Sequence, residues 1–376
     1  MIYFDNAATS KPYVEAVEAF VDVNKNNFGN PISNHGYGRK AERILEKSRE
    51  SMLNLLSLSS SFNLLFTSGA SESNNIAIKG IAKKYKNRGN KIISSIAEHS
   101  SVINTLEKLK EEGFEVIYLP INALGYVDPK DLEKAIDDKT ILVSIMSSNN
   151  EIGSISPLDE YSKIIKKYPK CFFHSDITQS LGKIKMDYGC CDLLSFSSHK
   201  FGGVKGTGGL VFKKNISFEP IENGGEQEYG FRPGTVNVAG IKAMEVALKK
   251  SLSNLDDNLS KISKLNLLLR GFLENNPQFA VNSPLNSNPY IFSFSTLKKK
   301  ASVVVEALSN KEIYVSSVSA CNSKKEPFSY VVYALTNDKE ISANTIRVSF
   351  SPESSEEEVN EFVNALKQII VEVKDR

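Results

Sequence analysis

Five short apolar runs in this sequence end in polar residues of the kinds that bind anions, move protons or form covalent adducts. NLLF leads into Thr67-Ser68-Gly69-Ala70-Ser71-Glu72, KIISSI to Glu98-His99, and TILVSIM to Asn149-Asn150-Glu151. CFFHS leads to Asp176 and Gln179, and DLLSF to Ser197-Ser198-His199-Lys200. A Gly-containing turn that opens a helix, as in TSGASES, offers free N–H groups and a favourable dipole to a phosphate, although Ser or Thr there is also an ordinary cap. Asp176 closes an apolar run, so its ionised form needs a cationic partner or the hydrogen bonds of a capping residue. Lys200 follows His199 and precedes FGGVKGTGG, whose glycines allow close backbone approach. Burial beside another cation would lower the pKa of such an amine and make it a nucleophile. Most lysines of so lysine-rich a chain are solvated, and a lone His99 is more often a surface or packing residue than a catalytic one. What singles these positions out is their recurrence at run after run.

Those endings need a scaffold that brings them together. From about residue 62 to 213, seven apolar runs alternate with helical patterns: 63–69, 91–96, 114–119, 140–146, 171–175, 192–197 and 209–214. DPKDLEKAI is one of the helices, with Asp128 as N-cap and Pro129 in the first turn. The alternation predicts an α/β fold with a mainly parallel sheet covered by helices on both faces. In such a sheet, ligands bind beyond the carboxyl ends of the strands. After Gly240 the pattern changes. One long helical stretch over roughly 241–275 precedes short strands (YIFSFS, EIYVSS, TIRVSF) and helices at 302–309, 328–335 and 355–373. This predicts a smaller α+β domain, with residues 16–250 forming the large domain and 1–15 plus 251–376 the small one. In TIRVSF, Ile346, Val348 and Phe350 share one face and leave Arg347 on the other.

Composition narrows the classes. A net charge of +2 over 376 residues, with no basic block, argues against direct nucleic-acid binding. No run approaches the roughly 18 apolar residues of a membrane helix. MIYFDNAATS lacks the pattern of a secretory signal, so a cytoplasmic location is expected. Four cysteines form neither a disulfide framework nor a CxxC metal site. Cys171, Cys190 and Cys191 read as core or boundary packing. Cys321 differs, since VSSVSACNSKKEP is a polar, small-residue stretch that predicts an exposed thiol.

With these residues laid out, the sequence resembles the cysteine desulfurases (NifS/IscS type) of the class V aminotransferase family. FGNPISNHGYGR, FTSGASESNNIAIKG, AEHSSV, ILVSIMSSNNEIG, HSDITQSLGK, LLSFSSHKFGG, FRPGTVN, SSVSAC and IRVSF match family segments in order, from DNAATS at residue 5 to about Phe350. The resemblance implies the fold type I of pyridoxal-phosphate transferases, with a seven-stranded sheet in the large domain and the catalytic-cysteine loop, about 317–332, in the small one. Pyridoxal 5′-phosphate is then the cofactor. Lys200 would carry it, Asp176 would pair with its ring nitrogen, His99 would stack on the ring and help move protons, and Gln179 would bond the ring hydroxyl. Ala70 through its backbone, Ser71, Ser197 and His199 would hold the phosphate, with Thr235 reaching in from the second subunit of a homodimer. Asn150 and Arg347 would hold the carboxylate of L-cysteine. Cys321 would accept the sulfur as a persulfide, leaving alanine, and pass it to an acceptor protein of iron–sulfur cluster assembly or tRNA thiolation. Lys324 and Lys325 could supply the positive field that a thiolate needs.

Three positions depart from the family pattern. Val318 stands where glycine is usual, Ser198 where glycine precedes His-Lys, and Asn322 where threonine follows the cysteine. The chain also ends soon after its last expected helix, without the longer tail that some members use to dock a scaffold, so the resemblance leaves the acceptor open. Selenocysteine lyases and other class V enzymes share the fold, as would a non-catalytic sulfur-relay subunit. The SSVSAC context argues against the first, and the presence of Lys200 and Asp176 against the second.

Overall fold

A computed structural model describes residues 1–317 and 328–374. From the N-terminus, β1 (Ile2–Tyr3), α1 (Val14–Asn26) and α2 (Gly36–Leu55) lead to the strand–helix alternation. Its first half is β2 (Phe62–Thr67), α3 (Ala70–Lys84), β3 (Lys91–Ser95), α4 (Ser100–Glu111) and β4 (Glu115–Leu119). Its second half is α5 (Pro129–Ala135), β5 (Thr140–Ser144), α6 (Leu158–Ile165), β6 (Phe172–Asp176), β7 (Leu193–Ser197) and β8 (Gly208–Lys213). Then come α7 (Val238–Ser253), α8 (Leu255–Glu274), β9 (Phe279–Val281), β10 (Ile291–Thr296) and α9 (Ala301–Ser309). The chain closes with β11 (Ile313–Tyr314), β12 (Ser316–Ser317), α10 (Tyr330–Thr336), α11 (Lys339–Ala343), β13 (Thr345–Ser349) and α12 (Glu356–Glu372). No helix among the described residues is long and apolar enough to cross a membrane.

The seven apolar runs are the seven strands of one sheet, ordered β2-β8-β7-β6-β5-β3-β4. Only β8 runs against its neighbours. Because β2 and β7 are both antiparallel to β8, they are parallel to each other, and the turn after β2 arrives at the same edge as the turn after β7. Gly208 makes that meeting possible, since a Cβ there would lie 2.4 Å from the Phe196 carbonyl oxygen and 2.5 Å from the Gly69 Cα. Consecutive strand residues go to opposite faces. Leu64, Ile93, Val143, Leu194 and Val211 pack into one buried cluster, and Leu65, Ile92, Leu142, Leu193 and Leu210 into another. Both faces are covered, so the runs read as continuously apolar rather than alternating. Asp128 caps α5 by accepting from the Lys130 N–H, with Pro129 in the first turn, as the sequence predicts.

A four-stranded sheet, β12-β13-β10-β9, supports the rest. Ile346, Val348 and Phe350 enter its core with Ile2, Phe4, Phe292 and Phe294, and Arg347 points the other way. Two expectations are corrected here. The single long helix over 241–275 is two, broken at Asn254, which leaves the helical basin (φ −119°, ψ 23°) while Asp256 and Asp257 occupy the first turn of α8. Asn favours such boundaries, and carboxylates favour helix N-termini. EIYVSS is also not one strand: β11 pairs with β1, and β12 with β13.

Candidate active site

The carboxyl ends of β2, β3, β5, β6 and β7 meet Arg347 of β13 at a cavity of about 340 Å³. Ala70, Ser71, His99, Asn150, Asp176, Gln179, Ser197, His199, Lys200 and Arg347 all line it. Thr235 is exposed and does not line it. Cys321, Lys324, Lys325, Val318 and Asn322 lie outside the described residues.

At one wall, α3 begins directly after β2, so its first N–H groups face the cavity without intrahelical partners. The Ala70 N–H donates to Ser197 Oγ at 2.7 Å, which ties the β2 and β7 endings together. His199, whose Nδ1 meets Thr9 Oγ1 at 3.1 Å, stands beside them. Burial, and after it the charges of Lys200, Lys205 and Lys183, push its pKa down to about 4, so its imidazole is neutral near pH 7. Helix N–H groups, hydroxyls and a neutral imidazole together make a cradle for an anion.

Asp176 ends β6 with 6% of its surface exposed. Its Oδ1 accepts from the Thr178 N–H at 2.9 Å and its Oδ2 from Asn74 Nδ2 at 2.8 Å. A capping-type hydrogen bond and a place at the cavity wall coexist here: neutral donors hold the carboxylate, which also lines the cavity. The same duality holds for His99. It caps α4 by accepting from the Ser101 N–H at 3.2 Å, and its ring faces the open cavity. Desolvation by the protein around it lowers its pKa, against the pull of Asp176 and with the push of Lys200.

Lys200 is half-buried at the end of β7, and its Nζ donates to the carbonyl oxygens of Ala7 at 2.6 Å and Ala8 at 2.8 Å. The N-terminal DNAA turn thus holds this amine. Gln179 donates to the same Ala7 oxygen at 3.1 Å. Ser198 is accommodated beside Lys200 because residue 203 is glycine: a Cβ there would lie 1.8 Å from Ser198 Oγ.

Opposite, Arg347 is 4% exposed. Its Nη2 donates to Asp5 Oδ1 and its Nη1 to the Asn150 carbonyl, both at 2.9 Å, while its buried Nε has no partner. Glu151 lies beside it and accepts from Ser329 Oγ. Burial pushes the Glu151 carboxyl up to about 7, against the Ser329 hydrogen bond and the attraction of Arg347. The Tyr330 hydroxyl donates to the Glu98 carbonyl, bringing the start of α10 to the base of the His99 turn. Ala7 and Ala8 of the cavity wall, Asp5, which holds Arg347, Tyr330 of the wall, and Lys183, which holds Gln179 from behind, are positions that sequence patterns did not single out. Only the DNAATS segment, apart from the apolar runs, carried a signal for the first three.

The family model Aminotransferase class-V matches residues 2–362. A NifS/IcsS protein homolog of Lactobacillus delbrueckii subsp. bulgaricus is 39% identical over 98% of this chain and 97% of its own. Cysteine desulfurase IscS of Dictyoglomus turgidum is 36% identical over 99% and 95%. A solved structure described as a NifS-like protein superposes with a TM-score of 0.92 at 34% identity, covering 99% of this chain and 100% of that one. With the family segments in order along the sequence and residues of six of the nine gathered at one cavity, the chain belongs to the class V aminotransferase family, in the branch of the NifS and IscS proteins.

Proposed function

We propose that this protein is a pyridoxal 5′-phosphate-dependent cysteine desulfurase, converting L-cysteine to L-alanine and receiving the sulfur on Cys321 as a persulfide. One observation carries the reading. A half-buried amine (Lys200), a buried carboxylate (Asp176) and an anion cradle (Ala70 N–H, Ser71, Ser197, His199) share one cavity with an arginine whose buried Nε is unpartnered. That set fits the cofactor: cradle for phosphate, carboxylate for a protonated ring nitrogen, amine for the aldehyde carbon. Asp176, Gln179 and His99 would hold the ring. When bound, pyridoxal phosphate supplies an electron sink for the charge left at Cα.

The chain's own groups would do the rest. Arg347 and Asn150 bind and orient the substrate carboxylate. Lys200 Nζ would move the Cα proton, a step for which a positioned general base contributes about 10²–10⁴-fold. The Cys321 thiolate attacks the substrate sulfur, so an S–S bond forms as the C–S bond breaks and alanine leaves; this assignment rests on the SSVSAC match. Thr235 is proposed to complete the site of the second subunit in a homodimer. An acceptor protein of iron–sulfur assembly or tRNA thiolation would take the persulfide sulfur. Given pyridoxal phosphate and L-cysteine, the protein should form alanine and persulfide in equal amounts. Lys200→Ala should abolish both, and Cys321→Ser the persulfide. Unimpaired alanine release by Cys321→Ser would point to another class V activity.

A further inference from the structure

Lys183 lies behind the site in the HSDITQSLGK segment, is 6% exposed, and takes no part in the chemistry above. Its Nζ donates to Gln179 Oε1 at 2.7 Å. The charged groups that bear on it are cations, Lys200 and Arg347, and it in turn bears on His199. A buried ammonium repelled by two cations costs stability, offset in part by its hydrogen bond to Gln179 Oε1. Burial, followed by repulsion from Lys200 and Arg347, brings its pKa down to about 7.

The hydrogen bonds around Gln179 admit a single amide orientation. The Ala7 carbonyl only accepts, so Nε2 must face Ala7, and Oε1 is left to face the Lys183 amine, which can donate to it with or without its third proton. Lys200 donates to that same carbonyl. A continuous chain therefore runs from Lys183 through the Gln179 amide and the Ala7 oxygen to the Lys200 amine. It leaves the second N–H of Gln179, a cavity-lining residue, for a ligand acceptor. We infer that Lys183 is a positioning residue: it locks Gln179 as a hydrogen-bond donor toward the cofactor's ring oxygen and, through the shared Ala7 carbonyl, sets the proton affinity of Lys200. The inference rests on the cofactor assignment above.

Lys183→Met keeps the length of the side chain and removes the charge and donor. It should weaken pyridoxal phosphate binding about tenfold, the size of one lost charge-assisted hydrogen bond. The pH midpoint of the bound cofactor's absorbance should move upward, because a cation near Lys200 is gone. Gln179→Leu should weaken binding similarly, and the double variant no further than the worse single, since both break one chain. In the apoprotein, stability should rise with pH between about 7 and 10.5 in the wild type, where the unfolded chain binds the proton that buried Lys183 has released, and this rise should flatten in Lys183→Met. An unmoved absorbance midpoint with unchanged affinity, or losses that add in the double variant, would overturn the inference. A wild-type protein that binds the cofactor yet releases no alanine would sink the activity and leave these spectral results standing.

Discussion

Two of the three buried arginines among the described residues contrast a structural ion pair with a proposed binding group. Arg49 of α2 is 7% exposed, and its donors are all taken. It binds Glu228 at 2.9 and 3.0 Å, Glu46, and the Leu64 carbonyl, while Glu228 also accepts from the Phe66 N–H at 2.7 Å. The pair pins a turn in which Glu228 and Tyr229 take positive φ (47° and 62°), a conformation costly for non-glycine residues that persists only when surroundings fix it. Arg347 is buried as deeply, yet its Nε is unpartnered and it lines a cavity. Burial alone therefore does not mark a functional charge. The proposed role of Arg347 rests instead on unspent hydrogen-bonding capacity at a cavity wall, which a ligand could satisfy.

The contrast can be broken from either side. Arg49→Met leaves Glu228 as an uncompensated buried charge and should lower unfolding free energy by about 3–5 kcal/mol, with KM for L-cysteine little changed in the protein that remains folded. Denaturant titration alongside steady-state kinetics reads both. Arg347→Leu should do the reverse, cutting kcat/KM by about 10²–10³-fold through lost carboxylate binding while costing less stability than Arg49→Met. Equal stability losses in the two variants would erase the distinction.

Smaller effects sharpen it. The Glu151 carboxyl beside Arg347 holds its proton to about pH 7 in the folded state against 4.5 unfolded. The native protein thus binds more protons over that window, so stability should fall as pH rises from about 4.5 to 7, by roughly 3 kcal/mol at most. Glu151→Gln should flatten the slope in melts across that range; an unaltered slope would place the carboxyl's titration elsewhere. Asp5→Asn keeps the shape of the Arg347 partner but removes its charge. It should change KM for L-cysteine by only a few-fold, about 1 kcal/mol, because the Asn150 carbonyl still orients the guanidinium.

How much of this was legible in advance differs by region. The strands were plain, because a sheet covered on both faces favours unbroken apolar runs. So was the turn chemistry: the Asp128–Pro129 helix start and the polar residues after β2, β3, β5, β6 and β7 are local signals. The break at Asn254 went unread because apolar spacing continues across it, and the split of EIYVSS because period-two alternation does not say which partner each half will meet. Sequence patterns alone did not assign site roles to Lys183 and Asp5. Their roles depend on neighbours more than a hundred residues away or on burial, which a single lysine or aspartate in a charged chain does not announce.

Much of the local order, then, was determined by sequence: the seven apolar runs of the large sheet, the start of α5 and the polar residues at strand ends, all signalled by residue patterns within a few positions. The tertiary structure alone decided which of those ends share a cavity. It also decided that an N-terminal carbonyl holds Lys200, that the donors of Arg49 are spent and that Arg347 keeps one unspent. Strand order, desolvation and hydrogen-bond saturation are properties of distant groups packed together, and no single stretch of chain contains them.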